Sequence, residues 1–178
     1  MSLTSISKNI WQTQSRLSVQ SNHLIFKQFE DHWQDENVRR THLFDGRYEN
    51  IYLNEQHIPE LSPLIEEATQ LAAEILMVKN LRAGYWFNDM PPGATTTLHT
   101  HDDDDELLSG VYYVKVPENS GKLIISDDSD KDHPETIKIT PTAGEFVFFK
   151  PDVRHEVSRN NSTEHRLSIG INFGTVKD

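Results

Sequence analysis

The sequence predicts a mainly β protein with supporting N-terminal helices. Three observations carry that expectation: a series of short strand-like runs between residues 83 and 174, turn signals between most of them, and one amphipathic helix ahead of them. Many short strands after a single clear helix fit a closed or sandwiched antiparallel sheet better than alternating βα units. Among such architectures we choose a double-stranded β-helix, also called a jelly roll or cupin barrel. The 178 residues read as a single domain, 1–178, in which 1–80 is a supporting segment and 83–174 the β core.

In chain order, Leu24-Ile25-Phe26 and Asn50-Ile51-Tyr52-Leu53 read as short strands, with a polar, helical stretch from Phe29 to Arg40 between them. The clear helix covers about 62–77. It opens at Ser62, whose hydroxyl can cap free backbone N–H groups, and at Pro63, whose missing donor costs nothing there. Leu64, Ile65, Ala68, Leu71, Ala72, Ile75 and Leu76 form one apolar stripe that should lie against a sheet. Strands follow at Gly84 to Phe87, Thr95 to His101, Leu108 to Val116, Lys122 to Ser126, Thr136 to Ile139, Glu145 to Phe149, Arg154 to Ser158 and Arg166 to Phe173. Breakers such as Pro91-Pro92-Gly93, Pro117 to Gly121, Pro141 to Gly144 and Pro151-Asp152 separate them.

Composition narrows the chemistry. A formal net charge of −11 repels phosphate backbones, so general nucleic-acid binding is not expected. The chain has 0 cysteines, which removes disulfides, thiolate metal sites and Cys nucleophiles; any metal must use His and carboxylate. No long apolar run predicts a membrane span, and Met1 to Gln12 carries no export pattern, so the expected location is cytoplasmic.

Two constellations can carry chemistry. His99, His101 and Asp103 alternate at the end of one strand and so share a face. A further ligand must come from another strand, and His155, after the Pro151-Asp152 turn, is the best candidate. Two imidazoles and one carboxylate form the facial triad of non-haem Fe(II) oxygenases. His-x-Asp alone also occurs by chance; the final strand adds weight. It places Leu167, Ile169, Ile171 and Phe173 on one face and Arg166, Ser168, Gly170 and Asn172 on the other. A guanidinium beside a hydroxyl suits a dicarboxylic cosubstrate.

As a set, His101-x-Asp103, His155 and Arg166-x-Ser168 resemble the ordered motif of 2-oxoglutarate-dependent Fe(II) oxygenases, with prolyl hydroxylases as more distant relatives. The runs Leu107 to Val114 and Pro117 to Leu123 strengthen the likeness, which covers about 83–174. The resemblance implies that His101, Asp103 and His155 hold Fe(II), that Arg166 pairs with the far carboxylate of 2-oxoglutarate, and that Ser168 supports it. It also implies that Tyr113 lies against that carboxylate and that Asn88 faces the cosubstrate. Many relatives read His-x-His here, so His99 with His101 is an alternative register; counting back from Ser109 without a gap favours His101 and Asp103.

The implied activity is hydroxylation of an unknown small-molecule or peptide substrate, coupled to conversion of 2-oxoglutarate into succinate and carbon dioxide. Two rivals stand beside it. One is a three-His cupin using His99, His101 and His155 without 2-oxoglutarate, which has no need of Arg166-x-Ser168. The other is a metal-dependent binding or sensory module that turns nothing over. The acidic run Asp102 to Glu106 could attract a cationic substrate but reads more simply as a solvated loop, and Tyr85, Trp86, Phe148 and Phe149, which could line a cleft, read as core with no assigned role. A homodimer is the default assembly.

Overall fold

A computed structural model of the chain describes residues 3–101, 105–128 and 134–176. Its elements are β1 (Thr4–Ser7), β2 (Ile10–Gln14), α1 (Val19–His32), β3 (Arg39–Phe44), β4 (Arg47–Tyr52), α2 (Leu61–Leu76), β5 (Leu81–Met90), β6 (Thr96–His99), β7 (Glu106–Lys115), β8 (Leu123–Asp127), β9 (Glu135–Ile139), β10 (Glu145–Phe149), β11 (Arg154–Val157) and β12 (Arg166–Thr175). They form an 8-stranded sheet in the order β1-β2-β10-β7-β12-β5-β4-β3 and a 4-stranded sheet in the order β6-β11-β8-β9. The pairings are antiparallel, and sequence neighbours repeatedly fall in opposite sheets, as a double-stranded β-helix requires.

Strand alternation builds two cores. The outward face of the large sheet, including Phe87, Tyr112, Phe146, Leu167, Ile169 and Ile171, packs against Ile25 and Phe29 of α1 and Leu61, Leu64, Ala68 and Ala72 of α2. The second core lies between the sheets, where Ile10, Tyr113, Val147 and Phe149 meet Leu123, Ile125 and Ile139. The even positions of β12 therefore face the space between the sheets while the odd positions hold the helices. That division is the one its alternation predicts.

The β core follows the sequence reading strand by strand, while the N-terminal part departs from it. Leu24-Ile25-Phe26 lies inside α1, not in a strand. Ser18 starts that helix by accepting a 3.0 Å hydrogen bond from the Ser21 N–H, and the i, i+4 pair Ile25 and Phe29 supplies its buried stripe. The helical stretch expected from Phe29 to Arg40 ends at His32, and Arg39 and Arg40 open β3. Ser62 is not a cap: α2 begins at Leu61, and no side chain caps it. The N–H groups of Leu61 and Ser62 instead donate to the carbonyls of Ile58 and Pro59 in a preceding turn, at 3.0 and 3.2 Å.

Candidate metal centre

The small sheet brings the histidines together. β6 ends at His99, and β11 pairs with it so that His155 lies opposite His99. His101 follows two residues on, its backbone N–H donating to the Pro151 carbonyl at 2.9 Å. Ring centroids lie 4.2 Å apart for His99 and His155, 4.9 Å for His101 and His155, and 5.0 Å for His99 and His101. One nitrogen of each ring lies within 4.8 Å of the others, close enough for a single ion. Of the ligands the resemblance implies, His101 and His155 converge, His99 joins them, and Asp103 lies outside the described residues.

Local hydrogen bonds prepare two of these rings. His155 Nδ1 lies 3.3 Å from the Val153 carbonyl and His99 Nδ1 2.7 Å from the Thr97 carbonyl. A carbonyl only accepts, so each Nδ1 keeps its hydrogen and Nε2 keeps its lone pair. Burial, followed by the neighbouring His99 and His101 rings, pulls His155 down from 6.5 to about 3. It stays neutral near pH 7, the state in which imidazole binds a metal.

Phe149 and Trp86 flank the cluster, with ring centroids 4.6 Å from His155 and 5.7 Å from His101. Both line the cavity, whereas Phe148 is core and the half-buried Tyr85 donates to Glu55. The reading of these aromatics as core holds for Phe148 and for Phe149, which borders the cavity from the second core, and fails for Trp86, which belongs to neither core. Trp86 precedes Asn88 by two residues on β5 and so shares its inner face, and both line the cavity. Gly170, across the ladder, makes room for it: a Cβ on Gly170 would lie 2.6 Å from the Trp86 ring.

The three histidines line a cavity of ≈ 530 Å³ between the sheets, whose wall also includes Arg166, Ser168, Tyr113 and Asn88. Arg166 is 1% exposed and makes no ion pair among the described residues. Its Nη1 donates to the carbonyls of Ser120 and Gly121 at 3.4 and 3.2 Å, while its Nε has no hydrogen-bond partner among the described residues. The guanidinium carbon lies 5.2 Å from the centre of the Tyr113 ring. The Tyr113 hydroxyl is buried beside this guanidinium, with no close hydrogen bond among the described residues, and burial above all pushes it up to about 12, so it stays protonated. Ser168 lies opposite Tyr113 on one side and Asn88 on the other. A buried cation with orphaned donors is costly unless an anion completes it, and a carboxylate supplies the missing acceptors. Imidazole lone pairs suit Fe(II), so both ends of the cavity fit the groups the resemblance implies.

Known proteins share this arrangement of strands. A Pseudomonas putida prolyl-4-hydroxylase matches with a TM-score of 0.67 at 18% identity, over 95% of this chain and 89% of that one. The non-heme alpha ketoglutarate dependent carbocyclase SnoK from nogalamycin biosynthesis matches at 0.75 and 17%, over 94% and 79%. A prolyl hydroxylase from Trichoplax adhaerens, solved with a hypoxia inducible factor peptide fragment, matches at 0.72 and 14%, over 94% and 84%. At such identities these likenesses speak for the fold. No curated protein matches the sequence. Residues 84–172, half of the chain, match the family described as "Putative 2OG-Fe(II) oxygenase", and the chain belongs to that 2OG-Fe(II) oxygenase family.

Proposed function

We propose that the protein is an Fe(II)- and 2-oxoglutarate-dependent dioxygenase that hydroxylates a small molecule or peptide. The observation that supports it best is the meeting of His99, His101 and His155 in a cavity that also holds the buried, unpaired Arg166. His101 and His155 would hold Fe(II), with Asp103 as the third ligand in the register the resemblance implies. Arg166 would clamp the far carboxylate of 2-oxoglutarate, while Ser168 and Tyr113 donate to it and Asn88 faces its chain. Fe(II) and 2-oxoglutarate, when bound, supply oxidative decarboxylation by dioxygen, which yields succinate and carbon dioxide and hydroxylates a C–H bond. Trp86 packs against His101 and Phe149 against His155, giving the metal end of the cavity apolar walls.

A second reading rests on His99, whose convergence with the other two favours a three-histidine set. Single substitutions separate the two. If Asp103 is a ligand, Asp103→Ala abolishes Fe(II) binding and His99→Ala leaves it nearly intact; the opposite pattern assigns His99. Turnover is tested by succinate formation from 2-oxoglutarate with Fe(II)-loaded protein in air. Binding of both ligands with no succinate would instead indicate a sensory or binding module.

A further inference from the structure

Arg47 stands outside the motif that the sequence singles out, yet its guanidinium ties together the strands around the cavity. Its side chain is only 10% exposed. Nη1 donates to Asn88 Oδ1 at 3.0 Å and to the Asp89 carbonyl at 3.2 Å, both on β5. Nη2 donates to the Thr95 carbonyl at 2.9 Å and to Thr96 Oγ1 at 3.2 Å, where β6 begins, and pairs with Glu49 of β4 at 2.9 Å. The planar fork of arginine can satisfy so many acceptors at once; a lysine ammonium cannot.

The bond to Asn88 has a chemical consequence. With Oδ1 engaged by Arg47, the Nδ2 hydrogens remain for the cavity that Asn88 lines. The ladder fixes where they act: Arg166 lies opposite Met90, Ser168 opposite Asn88 and Gly170 opposite Trp86. Successive rows are about 7 Å apart along a strand. In backbone register Asn88 therefore stands between the row of Arg166 and that of Trp86, whose ring adjoins His101. A five-carbon dicarboxylate held between Arg166 and the histidines would meet this row, and it would offer oxygen acceptors and no donors there.

We infer that Arg47 is a positioning residue: by engaging Asn88 Oδ1 it turns the Asn88 amide so that its N–H groups face the cosubstrate. This rests on the 2-oxoglutarate reading of the cavity. Without Arg47 the amide is free to flip and present a carbonyl oxygen to an anion. The role belongs to binding of the cosubstrate, separately from the metal.

The test is calorimetric titration of 2-oxoglutarate into protein loaded with Mn(II), so that nothing turns over. Wild type, Arg47→Gln, Asn88→Ala and the double variant are compared, with Mn(II) affinity and melting temperature measured on each. Arg47→Gln and Asn88→Ala are each expected to weaken 2-oxoglutarate about tenfold, and the double variant no more than either alone, with Mn(II) affinity within about twofold of wild type. If Arg47→Gln does not fold, Arg47→Lys takes its place in the cycle. Additive losses, equal loss of Mn(II) and 2-oxoglutarate, or unchanged 2-oxoglutarate binding in the Arg47 variant would overturn the inference. Failure of the wild type to bind 2-oxoglutarate at all would remove the parent reading, a result distinct from those.

Discussion

Arg166 shows how much a single side chain can say. Keeping a guanidinium almost wholly out of water, with Nε unpartnered and only carbonyls at Nη1, costs folding free energy that hydrophobic residues of similar volume would not. A carboxylate arriving in the cavity turns that cost into affinity. Arg166→Ala should therefore lose about 2–5 kcal/mol of 2-oxoglutarate binding and leave metal affinity nearly unchanged, read by titrating each ligand separately. His155 carries a second consequence, in acid. The folded chain holds its imidazole neutral down to about 3, while the unfolded chain takes up a proton near 6.5. Its contribution to stability is complete above pH 6.5 and is lost as pH falls toward 3. Metal-free wild type should thus lose melting temperature across that window more steeply than His155→Gln; equal slopes would assign the acid sensitivity to other groups. His101, His155, Arg166, Ser168, Tyr113 and Asn88 could be singled out in the sequence because their types and spacing are rare in combination, and they line one cavity; Asp103 lies outside the described residues. Trp86 and Arg47 were not legible in this way: a tryptophan in a strand ordinarily means core, and the partners of Arg47 on β5 and β6 lie more than 40 residues away in sequence.

At the level of elements, turns and ladders carry the geometry. Gly121 sits at φ +95°, and a Cβ there would lie 2.3 Å from the Ser158 carbonyl oxygen. Its own carbonyl accepts from Arg166. Gly121→Ala should cost about 1–3 kcal/mol of stability, seen in denaturant unfolding, and should also weaken 2-oxoglutarate binding because the turn that holds Arg166 must shift. Gly170→Ala should act from the opposite side by forcing the Trp86 ring out of place, read as a change in tryptophan emission and weaker metal binding. In α2 the buried Leu64 packs in the helix-side core and does not line the cavity, so Leu64→Ala should cost about 2–5 kcal/mol of stability with no change in ligand affinity per folded molecule. The strands of the β core were readable because two-residue alternation and Pro or Gly breakers bound each of them. Leu24-Ile25-Phe26 misled because a three-residue apolar run fits either period; Ser18 and the Ile25–Phe29 pair decide for the helix. β1 and β2 are short and polar, and β2 gains its strand character from its ladder with β10, a partner that local pattern does not reveal.

For the molecule as a whole, the two sheets divide the labour. The small sheet supplies His99 and His155, with His101 just beyond β6; the large sheet supplies Arg166, Ser168, Tyr113 and Asn88. The helices back the large sheet on its other face, so the helix-covered core and the site lie on opposite sides of the same strands, while the second core shares the space between the sheets with the site. This separation explains why β12 reads so clearly in sequence: one set of alternating positions is chosen for packing and the other for the site. Among the described residues no helix is long and apolar enough to cross a membrane. The account depends on the cavity holding a metal at one end and a dicarboxylate at the other, and anaerobic addition of 2-oxoglutarate to Fe(II)-loaded protein tests it most directly. A visible charge-transfer absorption that saturates with 2-oxoglutarate, and that Arg166→Ala shifts to much higher concentration, is the predicted result. Fe(II)-loaded protein that develops no such band, or one whose concentration dependence ignores Arg166, would contradict it.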